Sequence, residues 1–345
     1  MTLRAGVQGR SVVTGRPDAT RIESHAAGPR DTANELSSQV DTPSARVGRA
    51  FTAGWENSAV EVSDVSRAMA AAISTATELD LVVDDAIVLH NSNKLALRLL
   101  PCDVLARVAR VGHEVAEFEV DLAQRLADTG SPVAVLEPRV EPRVYERDGF
   151  AVTFWKYYGP VTPQAVSPVD YANVLKRLHE GMRRLDVATP HFIDRVADAQ
   201  RIVASRDHTP ALAEEDRKLL STTLRSLRRA IGDSGAAEQL LHGEPHPGNV
   251  LSTHKGLLFV DLETCCHGPV EFDLAHVPEE VSERYPGVDQ ELVRECRQLV
   301  LAMVAAWRWD PGDQFPNGRR VGRAILRLLR DGPPWPALGD LRRLS

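Results

Sequence analysis

Long hydrophobic runs are missing from this sequence. The longest is the nine residues Leu299 to Trp307, about half of the ~18 that a membrane-spanning helix requires, so no transmembrane segment and no membrane partner are expected. The first thirty residues carry Arg4, Arg10, Arg16 and Arg21 without a continuous apolar stretch, a pattern that does not read as a secretory signal. Cysteine is scarce: four in 345 residues make no disulfide framework, and neighbouring Cys265 and Cys266 could not easily bridge to each other. A reducing, cytoplasmic setting is the expectation. A positive charge balance is absent too. The 41 Lys+Arg against 48 Asp+Glu leave a net charge of -7, a diffuse acidity that disfavours a sequence-independent grip on nucleic acid. No internal repeat is found.

What is present is ordinary globular composition, 43% hydrophobic and 26% charged, over a length that suits roughly two domains. Residues 1–58 are rich in Ser, Thr, Gly, Ala and Arg and carry no sustained hydrophobic period, so a disordered tail is predicted there. From residue 59 the pattern changes. A helix is predicted over Val62 to Thr77, then three short apolar runs, Ala86–Leu89, Leu95–Leu100 and Val104–Val108, separated by the turns His90-Asn91-Ser92-Asn93 and Pro101-Cys102-Asp103. Three runs with two tight turns predict an antiparallel meander. A helix over Glu114 to Asp128 follows, apolar at Val115, Phe118, Leu122 and Leu126 and stopped by Gly130 and Pro132. Strands are predicted at Arg143–Glu146 and Ala151–Tyr158.

Beyond Gly159-Pro160 the apolar stripes are helical, over Tyr171–Leu185, His191–Ser205, Ala211–Ile231, Asp289–Trp307 and Arg320–Leu329. One hairpin interrupts them, Val250-Leu251 against Leu257 to Asp261. The predicted organisation is therefore a β-rich lobe over residues 59–158 and a helical lobe over residues 159–345.

The densest polar cluster is His242-Gly243-Glu244-Pro245-His246-Pro247-Gly248-Asn249. Two Pro and two Gly within it exclude a regular helix. Shortly beyond, Val260-Asp261-Leu262-Glu263 leaves the second strand of the hairpin. Two carboxylates and a carboxamide gathered by a short hairpin suit a hard cation such as Mg²⁺, which protein sites usually hold with one or two carboxylates plus substrate phosphates. A further carboxylate beside it could receive the proton of an attacking hydroxyl.

These residues carry a family resemblance. His242-Gly243-Glu244-x-x-x-x-Asn249, then Val260-Asp261-Leu262-Glu263 and Gly268-Pro269-x-x-x-Asp273-Leu274-Ala275, resembles the aminoglycoside phosphotransferase family, which also includes choline kinases, over roughly residues 80–335. The resemblance implies an α+β, bilobal, protein-kinase-like fold with a small antiparallel sheet in the N-lobe and a larger helical C-lobe. It implies ATP- and Mg²⁺-dependent transfer of a phosphoryl group to a hydroxyl of a small molecule. Residue by residue, it implies that Glu244 orients or deprotonates the acceptor, that Asn249 and Asp261 hold Mg²⁺, and that Glu263 lies beside the metal or the acceptor. Asp273 would be a buried buttress. Arg107 would stand where the family places its phosphate-binding Lys, paired with Glu119, with Arg98 as the alternative cation. Ser92 and Asn93 would cover the nucleotide phosphates from their turn.

Two residues depart from the family pattern. Glu244 replaces an Asp and is one methylene longer, which can displace the carboxylate by about 1 Å, and misplacement of that size can cost ~100-fold in rate. Arg107 replaces a Lys, which keeps the charge but changes its geometry. The first change opens an alternative reading, a kinase-fold nucleotide-binding scaffold or sensor with weak or no activity.

Overall fold

The computed structural model describes residues 60, 64–91, 94–112, 114–159, 161, 166–313, 315 and 317–337. The first helix, α1 (Val65–Glu78), is followed by strands β1 (Val83–Asn91), β2 (Leu95–Pro101) and β3 (Val104–Arg110), then α2 (Glu114–Asp128), β4 (Tyr145–Arg147) and β5 (Phe150–Lys156). The five strands form one antiparallel sheet in the order β1-β2-β3-β5-β4. Strand residues alternate between faces, and that alternation decides where the chemistry sits. Leu95, Leu97, Leu99, Val104, Ala106 and Val108 face α1 and are fully buried with Phe150, Val152 and Phe154. Leu105 and Arg107, on the other parity of β3, therefore face away from α1, toward the rest of the chain.

The helical part comprises α3 (Pro168–Met182), α4 (Phe192–Ala204), α5 (Glu214–Gly232), the short α6 (Val270–Leu274) and α7 (Glu279–Ser282), α8 (Gln290–Trp307) and α9 (Gly318–Asp331). Helix α8 runs through its centre. The apolar run that was too short to span a membrane, Leu299 to Trp307, is instead the buried middle of this core, packed by α4, α5 and α9. Among the described residues no helix is long and apolar enough to cross a membrane.

Between α5 and α6 the chain makes two small antiparallel sheets. β7 (Val250–Thr253) and β8 (Gly256–Phe259) form the expected hairpin. Strand β6 (Glu238–Leu241) pairs with β9 (Cys266–Pro269), a pairing the hydrophobic pattern does not announce. The two parts of the chain join at this hairpin: Phe259 N–H donates to Pro132 O, and Ala134 N–H donates to Phe259 O, at 2.8 and 2.9 Å.

Candidate active site

The loop after β6 is held by its backbone. Asp273, fully buried on α6, accepts hydrogen bonds from the amides of His242 and Gly243 at 2.9 and 2.8 Å. Its carboxylate also receives Nε2–H of His179 at 2.9 Å, and His179 Nδ1 accepts from the Tyr285 hydroxyl at 2.8 Å. Burial opposes ionisation of Asp273, but the His179 hydrogen bond and the surrounding imidazoles hold its carboxyl below the usual range. The imidazole of His242 donates from Nε2 to Val260 O at 3.0 Å, fastening the loop to the hairpin rather than facing a substrate. Tyr171 donates to Pro245 O at 2.6 Å.

Gly243 sits at φ +87, and a Cβ there would lie 2.0 Å from the carbonyl oxygen of Thr264. Only glycine fits that seat. It turns the chain so that Glu244 emerges beside α4, where Arg195 Nη2 meets Glu244 Oε1 at 2.5 Å and Nη1 donates to Gly243 O at 3.2 Å. Burial works against ionisation of Glu244, yet Arg195 outweighs it and lowers the pKa. Nearby His276 is 2% exposed and, among the described residues, neither ring nitrogen has a hydrogen-bond partner. Burial drives its pKa down to about 3, against the pull of Glu244, so it is a neutral imidazole.

Asn249 closes a 3-10 turn immediately before β7 and donates from Nδ2 to Glu244 O at 3.1 Å. At the other end of the same hairpin Asp261 takes the left-handed conformation, φ 68 and ψ 59. Because Val250 pairs with Phe259 and Val260 N–H bonds to Asn249 O, Asn249 and Asp261 leave the hairpin side by side.

Above them lies a network of ions. Arg107 places Nη1 at 2.5 Å from Glu119 Oε1 on α2 and Nη2 at 2.6 Å from Asp261 Oδ1. Lys94, the residue just before β2, places Nζ at 2.7 Å from Glu119 Oε2 and at 2.6 Å from Glu263 Oε2. The contact to Glu263 is an ion pair without hydrogen-bond geometry, and that oxygen is buried with no hydrogen-bond donor. Burial would favour neutral groups throughout. Arg107 and Lys94 nevertheless hold the Glu119 carboxyl well below the usual carboxylate range. The carboxylates in turn raise the pKa of both cations against burial. Glu263 is the exception, raised by burial and by repulsion from Asp261 and Glu119.

The structure thus brings together Glu244, Asn249, Asp261, Glu263, Arg107 and Glu119 from the sequence reading. Ser92 and Asn93 lie outside the described residues. Arg98 is corrected: it shares the sheet face of Leu105 and Arg107 but lies toward the other end of its strand, where it pairs with Asp103 at 2.7 Å and lies 4.3 Å over the Tyr157 ring, so its carboxylate partner is Asp103 and not Glu119 or Asp261. Three residues of the site escape the sequence reading. Arg195 carries a readable signal, since it falls within the apolar stripe Phe192, Val196, Ala199, Val203 of α4, where a buried cation needs a carboxylate partner. His276 sits in an apolar stretch and carries none. Lys94 is one of five lysines, with Lys156, Lys176, Lys218 and Lys255, and nothing local distinguishes it.

The donor set suits a divalent cation and a polyphosphate. Three carboxylates against two cations leave one negative charge uncompensated. Among the described residues no three His, Cys, Asp or Glu side chains form a metal cage by themselves.

Comparison with solved structures defines the fold. APH(2")-IIia, in a complex with GDP and kanamycin, superposes with a TM-score of 0.59 at 15% identity, covering 76% of this chain and 98% of that one. The amicoumacin kinase hAmiN, in complex with AMP-PNP, Ca2+ and Ami, gives 0.58 at 10% identity, covering 79% and 96%. Choline kinase LicA from Streptococcus pneumoniae gives 0.56 at 15%, covering 75% and 98%. The fold is the bilobal, protein-kinase-like α+β fold. No curated protein matches the chain. The profile of the phosphotransferase enzyme family, APH, matches residues 47–298, and the chain belongs to that family.

Proposed function

We propose that the protein transfers the γ-phosphoryl group of ATP, with Mg²⁺, to a hydroxyl of a small molecule. The observation that carries this reading is the placing of Asn249 and Asp261 at the two ends of one hairpin, with Glu244 tied to Asn249 from the loop before it and with Lys94 and Arg107 paired to Glu263 and Asp261. In phosphoryl transfer the protein's work is positioning and charge stabilisation. Asn249 and Asp261 are the residues that would hold Mg²⁺, which when bound neutralises charge on the transferring phosphates; Glu263 lies beside them. Glu244, ionised and held by Arg195, would orient the acceptor hydroxyl. Lys94 and Arg107 supply positive charge, and the turn containing Ser92 and Asn93 would cover the phosphates. The nucleotides in the complexes of hAmiN and APH(2")-IIia support the nucleotide half of the reading. The lobe division at residues 59–158 and 159–345 belongs to the same proposal, as does a cytoplasmic location.

A second reading rests on the Arg195–Glu244 ion pair. A carboxylate already committed to a guanidinium is a weaker proton acceptor, which favours a nucleotide-binding scaffold with little turnover. Incubation with γ-labelled ATP, Mg²⁺ and a panel of small hydroxyl compounds separates the two. Label on an acceptor, lost in Glu244→Gln and in Asp261→Asn, supports the kinase; nucleotide binding without transfer across the panel supports the scaffold. Release of pyrophosphate instead of ADP would overturn both in favour of nucleotidyl transfer.

A further inference from the structure

Glu119 is shared by two cations that reach it from different strands. Arg107 comes from β3, and Lys94 is the residue just before β2. The two are not equally free. The planar guanidinium of Arg107 has its terminal nitrogens directed at Glu119 and Asp261, at 2.5 and 2.6 Å, and lies 5.7 Å from the Trp155 ring. A guanidinium donates along fixed directions, so turning it toward a third anion would break one of those pairs. It ties α2 to the β7–β8 hairpin. The ammonium of Lys94 is a compact charge with three donors; one donates to Glu119, and Glu263 lies at 2.6 Å as an ion pair only. A position remains for another oxygen without loss of either contact. With its side chain 11% exposed, Lys94 also bridges the sheet to Glu263, just beyond the hairpin that carries Asn249 and Asp261.

We propose that Lys94 is the cation that binds the nucleotide's phosphates, and that Arg107, at the place where the family's lysine is expected, is a tie between Glu119 and Asp261. This rests on the nucleotide-binding reading above. It implies that Lys94 discriminates ligands by their phosphates, whereas a lysine that only braces Glu119 and Glu263 would affect a nucleoside and its triphosphate alike.

The test is calorimetric titration in Mg²⁺ of wild type, Lys94→Met and Lys94→Arg, each first checked for a cooperative melt. ATP and GTP are both offered to wild type; the tighter one is used, with its nucleoside as the phosphate-free control. A lost charge-assisted contact predicts a triphosphate affinity weaker by about 10- to 100-fold in Lys94→Met, an unchanged nucleoside affinity, and partial recovery in Lys94→Arg. Equal weakening of both ligands, or of neither, overturns the role of Lys94 while leaving the nucleotide site intact. If Lys94→Met does not melt cooperatively, the same comparison on Lys94→Arg decides, because a guanidinium on a longer stem must weaken the triphosphate more than the nucleoside. Wild type that binds no nucleotide overturns the underlying reading and this inference with it.

Discussion

At the scale of single residues the site is defined by charges kept out of water, and His276 is the one whose neutrality can be measured. Its pKa is held to about 3 by burial, while an unfolded histidine titrates near 6.5. The unfolded chain therefore takes up the proton first as the solution is acidified. Stability falls as pH drops from about 6.5 toward 3, by up to ~1.4 kcal/mol per unit. His276→Phe should remove that contribution. Urea midpoints measured at pH 7 and pH 5 should then fall less in the variant than in wild type. An equal fall would mean that the imidazole is not buried in neutral form.

At the scale of elements, the loop after β6 depends on two supports. Gly243→Ala combines a left-handed backbone with a Cβ pushed 2.0 Å from the Thr264 carbonyl; strain and overpacking together predict a loss of about 2–5 kcal/mol in denaturant unfolding. Asp273→Asn keeps the shape but removes the charge that accepts from two amides and from His179. A loss of about 3 kcal/mol is expected, with transfer activity falling further than stability accounts for because Glu244 is set by this loop. Much of this architecture is legible beforehand. Helix α2 reads from end to end, since its apolar residues recur at three and four and Gly130 and Pro132 stop it. The β7–β8 hairpin reads from its turn. The β6–β9 pair does not, because Leu240-Leu241 is too short a run to show a period and its partner lies beyond the whole hairpin. Lys94 is hidden for a different reason: its role follows from the sheet being folded over the hairpin, and residue spacing records neither distance nor direction across that gap.

At the scale of the molecule, the ion pairs from Arg107 to Asp261 and from Lys94 to Glu263 join the sheet to the helical part. A nucleotide held between them would bind the native state alone. At a concentration of 100 times its Kd it should add about 2.7 kcal/mol to the unfolding free energy, a rise of several degrees in Tm. The rise should require Mg²⁺ in wild type and lose that requirement in Asp261→Asn. Absence of any rise with ATP or GTP would leave the fold without its nucleotide site.

Asp261 is one of five non-glycine residues at positive φ among those described, and this restricts what evolution or a library can put there. Asn, Asp and Gly enter the left-handed region at little expense, whereas a β-branched residue meets its own backbone. A saturation library at position 261 scored for cellular abundance should therefore keep Asn and Gly near wild type and deplete Val, Ile and Thr, with no substrate present. Scored for phosphoryl transfer, the same library should lose Asn and Gly as well. The gap between the two rankings would separate the shape of this position from its charge.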